Sequence, residues 1–155
     1  MDRFANLKPA APDFAIMWDN AYCVHEFEGQ FVPFKDIITL CREAGNPDMV
    51  YIFTSTSKIS FPGSGVSAIA SSRENLDFIE SLMTIQTIGH DKINQLRHAR
   101  FFKDINGLNE HMKKHAEVLR PKFAAVLDTL EAELSGLGIG TWVNPRGGYF
   151  VSFNA

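Results

Sequence analysis

One lysine stands where it could do covalent chemistry. Lys58 follows four small hydroxyl residues, Thr54, Ser55, Thr56 and Ser57, and precedes Ile59-Ser60-Phe61-Pro62-Gly63-Ser64-Gly65. The apolar run at 49–53 before it, Met-Val-Tyr-Ile-Phe, is rich in β-branched and aromatic residues and reads as a buried strand. An amine at the end of such a strand is expected to be desolvated. Desolvation favours the neutral form, and the neutral amine attacks carbonyl carbon. The chemistry indicated is that of a Schiff-base lysine. Read alone, the same pattern also describes a solvated lysine in a surface loop. A carboxylate, Asp19, closes an earlier strand candidate at 13–19, Asp-Phe-Ala-Ile-Met-Trp-Asp. Read alone, Asp19 could equally cap a helix or form a turn.

These residues need elements to hold them. Residues 1–12 read as the tail of a helix and a loop, and 21–27 as an irregular aromatic segment. A helix is expected at 36–44, stopped by Gly45-Asn46-Pro47. The second strand follows at 49–55. Gly63 and Gly65 make a tight turn into a third strand at 66–70, parallel or antiparallel to the second. A helix opens at Ser72 or Arg73 with Glu74 and Asp77 in its first turns, and runs to about Thr84. Another covers 91–102. A long one covers 108–134, with Met112, Ala116, Leu119, Phe123, Val126, Leu127 and Leu130 at near-helical spacing and Pro121 as a kink. Gly136-Leu137-Gly138 ends it, and 147–153 reads as a last strand. Alternating strands and helices make the class α/β. In open α/β sheets ligands sit at the carboxyl ends of strands, where Asp19 and Lys58 fall.

The bulk numbers narrow the field. The chain has 155 residues, 45% of them hydrophobic with 13 Phe, so it is globular and long enough for a real core. A net charge of −3 with 15 scattered basic residues gives no nucleic-acid patch. Cys23 and Cys41 lack metal or redox spacing and read as buried thiols of a reducing compartment. No run reaches membrane-spanning length, and no secretion signal opens the chain, so the expected location is the cytoplasm. His25, His90, His111 and His115 do not form a metal-ligand set, and no metal is expected.

Three segments taken together are far more specific than Lys58: Asp19-Asn20-Ala21-Tyr22, Ser55-Thr56-Ser57-Lys58, and Asn144-Pro145-Arg146-Gly147-Gly148-Tyr149-Phe150. In type, order and spacing they resemble the class I (fold type I) pyridoxal-phosphate-dependent aminotransferases. The stretches 56–66 and 90–98 are most similar to the MocR-type group, which includes an aspartate aminotransferase subgroup. The resemblance covers essentially the whole chain. It implies residues 1–105 as the C-terminal part of the cofactor-binding large domain, a three-layer sheet with helices. Residues 106–155 are implied to be the long interdomain helix and the first strand of a truncated small domain. It further implies pyridoxal 5′-phosphate as cofactor, with Lys58 as the imine-forming and proton-shuttling amine. Asp19 falls at the family position against the ring nitrogen, Tyr22 at the ring oxygen, and Ser55 and Ser57 at the phosphate.

The match departs from the pattern at the phosphate. The arginine that many members carry after the lysine is absent from Pro62-Gly63-Ser64-Gly65-Val66. Backbone N–H groups of the glycine turn, with Ser60 or Ser64, are the expected substitutes. Arg97 and Arg100 share a helix face around His98 and are weak candidates for a substrate carboxylate, against a solvated or interface face. Three functions remain open. One is a homodimeric transaminase acting on an amino acid, aspartate or glutamate by preference, and a 2-oxo acid. Another is the effector-sensing domain of a MocR-type regulator. The third is a truncated fragment, inactive by itself and prone to associate.

Overall fold

The computed structural model describes residues 1–28 and 33–155. It is a mixed α/β structure made of two compact units. The first comprises residues 1–21 and 33–100, the second 22–28 and 101–155.

The first unit is built on a three-stranded sheet in the order β1-β2-β3. β1 (Ile16–Asp19) runs parallel to β2 (Val50–Ser55), with Ile16 opposite Val50 and Asp19 opposite Phe53. β3 (Ser67–Ala70) is antiparallel to β2, with Ser67 opposite Ser55. The parallel pair needs a crossover, and α2 (Ile37–Glu43) supplies it. Asp36 caps α2, accepting from the Ile38 and Thr39 N–H groups and from the Thr39 hydroxyl. The helix ends on Gly45, which has a φ of +82°. Its inward face puts Ile37 and Cys41 against Met49, Val50 of β2 and Ala5 of α1 (Asp2–Ala5), and these five residues form one buried cluster. Burying Ile37 or Val50 is worth about 2 kcal/mol each. Asn46 ties α1 to this core by donating to the Ala5 and Leu7 carbonyls.

α3 (Arg73–Gln86) is capped by Ser72 and carries an exposed Arg73–Asp77 pair. It has no buried residue, and α4 (Lys92–Phe102) buries only Phe102.

The second unit centres on α5 (Ile105–Leu134), capped by Asp104 at the Gly107 N–H. Met112 and Ala116 are its buried residues, and Phe123 stacks on Phe27 at 4.4 Å. The helix runs through Pro121 and ends before Gly136 and Gly138, both at positive φ. A short hairpin pairs β4 (Thr141–Trp142) with β5 (Phe153–Asn154). The expected strand over 147–153 is corrected by this arrangement. At the end of that stretch Phe153 pairs with Trp142 and the Ser152 carbonyl accepts the Val143 N–H, while Gly147 makes an isolated antiparallel bridge to Glu26. The bridge requires the glycine, because a Cβ at 147 would come within 2.7 Å of the His25 carbonyl. Among the described residues no helix is long and apolar enough to cross a membrane.

Candidate active site

Because β1 and β2 are parallel, their carboxyl ends lie at one edge of the sheet, and β3 begins at that edge. A cleft of about 380 Å³ opens there, lined by Asp19, Ala21, Phe53, Thr54, Ser55 and Ser67. Asp19 is exposed, and its Oδ1 accepts the Ala21 N–H at 3.2 Å, so the carboxylate also shapes the turn that leaves the strand. Thr54 Oγ1 donates to the Asn20 carbonyl at 3.5 Å and ties the ends of β1 and β2.

After Ser55 the chain closes a helical turn. The Ile59 and Ser60 N–H groups both donate to the Thr56 carbonyl, at 2.9 and 2.8 Å. Thr56 is joined to Val66 twice: its N–H donates to the Val66 carbonyl, and its Oγ1 accepts the Val66 N–H, each at 2.9 Å. The hydroxyls of Ser55 and Ser57 lie 3.1 Å apart. Gly65 passes so close that a Cβ there would sit 3.2–3.3 Å from Ser57 and Thr56 atoms. Ser55, Ser57 and Gly65 therefore form a tight hydroxyl and amide cradle at the sheet edge.

Lys58 is at the middle of this turn and exposed, which corrects the expectation of a desolvated amine. Two facts explain it. The strand is buried only at its start, from Val50 at 0% to Phe53 at 37% exposure. The turn then drives Ile59 inward to 7% exposure, which leaves its neighbour Lys58 outward.

The residue that the sequence reading missed is His98. Its Nε2 lies 2.9 Å from Thr56 Oγ1 and 2.7 Å from Ser60 Oγ, while its Nδ1 lies 2.8 Å from the Asn94 carbonyl. Ser60, one of the two hydroxyls expected near the phosphate, is engaged with His98 and with the Thr56 carbonyl at 3.1 Å. Arg97 and Arg100 flank His98 on α4, and both are exposed. No local pattern marks His98; its two hydroxyl partners are about forty residues away.

Tyr22 belongs to the second unit. Its ring packs against His25, Tyr149 and Phe150 at 5.7, 5.8 and 6.0 Å. His25 is buried at 1% exposure and lies 5.4 Å from Tyr149 and 6.4 Å from His115, ring to ring. Burial, followed by the charges of His111 and His25, lowers the His115 pKa below its ordinary value. Burial and then Tyr22 raise that of Tyr149. Among the described residues no group of three or more His, Cys, Asp or Glu could hold a metal ion.

Residues 1–155 match the model of a family described as aspartate amino-transferase. The chain is 45% identical over 152 residues to the aspartate aminotransferase of Corynebacterium glutamicum, covering 98% of the chain and 35% of that protein. A crystal structure of an aspartate transaminase from the same species superposes with a TM-score of 0.95 at 45% identity, over 98% of this chain and 36% of that one. The α-aminoadipate aminotransferase of Thermus thermophilus, solved with N-(5′-phosphopyridoxyl)-L-leucine, aligns at TM-score 0.70 and 26% identity, over 90% of this chain and 34% of that one. The chain thus spans about a third of the length of the relatives it matches.

Proposed function

The chain belongs to the aspartate aminotransferase family, and on that premise we propose that it carries the lysine-bearing part of a pyridoxal-phosphate transaminase site. The substrates would be an amino acid, aspartate or glutamate by preference, and a 2-oxo acid. The observation that carries this reading is that Asp19 and Ser55 line one cleft at the carboxyl ends of β1 and β2, with the Ser57–Lys58 turn following directly on Ser55. The donor set suits the cofactor chemically. Hydroxyls and backbone N–H groups serve a phosphate, and a carboxylate serves a protonated ring nitrogen.

When bound, pyridoxal phosphate supplies an electron sink for the pair left on the substrate Cα as its proton departs. Asp19 would keep the proton on the ring nitrogen, which makes that sink effective. Ser55 and Ser57 would orient the group through its phosphate. Tyr22 would donate to the ring oxygen. Lys58 would hold the group covalently and, once released by the substrate amine, would take the Cα proton and deliver it to C4′. Arg97 and Arg100 are weaker candidates for the substrate carboxylate. The MocR-type subgroup, the homodimer and a cytoplasmic setting belong to the same proposal. The relatives are named as aminotransferases, which favours an enzyme over an effector sensor.

The test is borohydride reduction of the chain after incubation with pyridoxal phosphate, followed by peptide mapping. Lys58 is one of several exposed lysines, so selective labelling requires a docked cofactor. The expected result is an adduct concentrated on Lys58 and absent from Lys58→Ala. Adducts spread over the lysines in proportion to their exposure would overturn the reading.

A further inference from the structure

We propose that His98 is a positioning residue that clamps the Lys58 turn. This rests on the transaminase reading for its functional meaning, although not for its geometry. The lysine lies between Thr56 and Ser60, and both hydroxyls reach the same nitrogen, His98 Nε2, at 2.9 and 2.7 Å. The protonation pattern follows from the partners. The Asn94 carbonyl can only accept, so Nδ1 carries the ring proton and donates to it at 2.8 Å. Nε2 of the neutral ring is then the acceptor. Thr56 Oγ1 donates to it and at the same time accepts the Val66 N–H. The single Ser60 hydroxyl proton has two acceptors in reach, Nε2 and the Thr56 carbonyl.

One imidazole nitrogen thus lies within hydrogen-bond reach of the residue two before the lysine and the residue two after it, and through Thr56 it meets the start of the return to β3. Within the turn lie two backbone bonds to the Thr56 carbonyl and one buried side chain, Ile59. A side chain as long as lysine amplifies any rotation of its Cα, and small misplacements at a reacting centre are costly. His98 therefore sets where the Lys58 amine can go by holding the backbone on either side of it. A leucine at 98 would fill similar space and withdraw the acceptor. A glutamine would restore a carbonyl oxygen at comparable reach.

The experiment uses the whole chain with His98→Leu, His98→Gln and Ser60→Ala. The first readout needs no cofactor: amide exchange at Ile59, Ser60 and Val66, with a long-range nitrogen–proton spectrum of the His98 ring. His98→Leu is expected to speed exchange at those amides by about tenfold while the unfolding midpoint stays near the parent's. His98→Gln is expected to recover most of the protection. The ring is expected to carry its proton on Nδ1. The second readout is the share of borohydride-trapped pyridoxal phosphate on Lys58 relative to Lys35 and Lys92, expected to fall several-fold in His98→Leu and to return in His98→Gln.

Unchanged exchange in His98→Leu, or a proton on Nε2, overturns the clamp. Should His98→Leu fail to fold, the parent's ring spectrum and the exchange rates of Ser60→Ala decide it. Scattered adducts in the parent with altered exchange in His98→Leu would sink the cofactor reading and support the clamp. A Lys58 adduct indifferent to His98→Leu would do the reverse.

Discussion

His115 shows how burial turns a side chain into a pH-sensitive contact. Removal from water, then the adjoining His111 and His25, hold its imidazole below the ordinary 6.5, so the native state resists taking its proton. The unfolded chain meets no such resistance. As pH falls below 6.5 the unfolded state therefore binds the proton first, and stability declines until the native imidazole also titrates. Stability from this group is complete above 6.5 and lost on the acid side. Urea midpoints recorded from neutral to mildly acid pH should fall, and His115→Gln should flatten that slope. A slope identical in the variant would assign the effect elsewhere. Lys58 offers the contrast at the same scale. Its sequence neighbours point to a desolvated amine, yet the inward turn of Ile59 leaves it at the surface. The type and order of residues reveal which side chain is chemically apt. They do not reveal which of two adjacent residues in a turn faces water, because tertiary packing of the pair decides that.

Elements with local signals of their own were legible; elements defined by distant partners were not. α2 has a capping aspartate before it and Gly45-Asn46-Pro47 after it, and it occupies Ile37–Glu43 inside the expected 36–44. β2 has a contiguous apolar run and occupies Val50–Ser55. The last strand failed because Gly147-Gly148-Tyr149-Phe150 carries strand-like residues whose partners are not a strand. Tyr149 packs on His25, and Gly148 donates to the His25 carbonyl at 2.9 Å. His98 was illegible for the same reason, since nothing beside it in the chain announces Thr56 or Ser60. The link between α4 and α5 provides a prediction at this scale. Lys103 sits at a φ of +65°, and a Cβ on Gly107 would lie only 1.8 Å from the Phe102 carbonyl oxygen. Gly107→Ala must displace backbone, so it is expected to cost about 2–3 kcal/mol in denaturant unfolding, as overpacking does. A change below about 0.5 kcal/mol would show that the link yields freely.

At the scale of the molecule, the apolar surface that remains open is the dominant fact. Phe78, Leu82 and Ile85 recur along α3 at helical spacing and are exposed at 62, 45 and 85%. Ile88 and Ile93 follow at 109 and 75%. Apolar surface of this kind seeks cover. Light scattering at micromolar concentration is expected to give a mass above the 17.3 kDa of one chain. Phe78→Lys combined with Ile85→Lys is expected to return it to that value. A monomeric parent with a cooperative melt would count against these residues as a contact surface.

The way the chain threads its two units has a consequence for how it is made. Residues 22–28 are synthesised early but belong with 101–155. The Glu26–Gly147 bridge and the bond from Gly148 to His25 join stretches more than a hundred residues apart. On a growing polypeptide, the His25 imidazole and the apolar Phe27 ring wait unsheltered until the far partner has left the ribosome. Closure of that long loop is expected to carry the largest chain-entropy cost of assembly. The window before it is when a chaperone has most to protect.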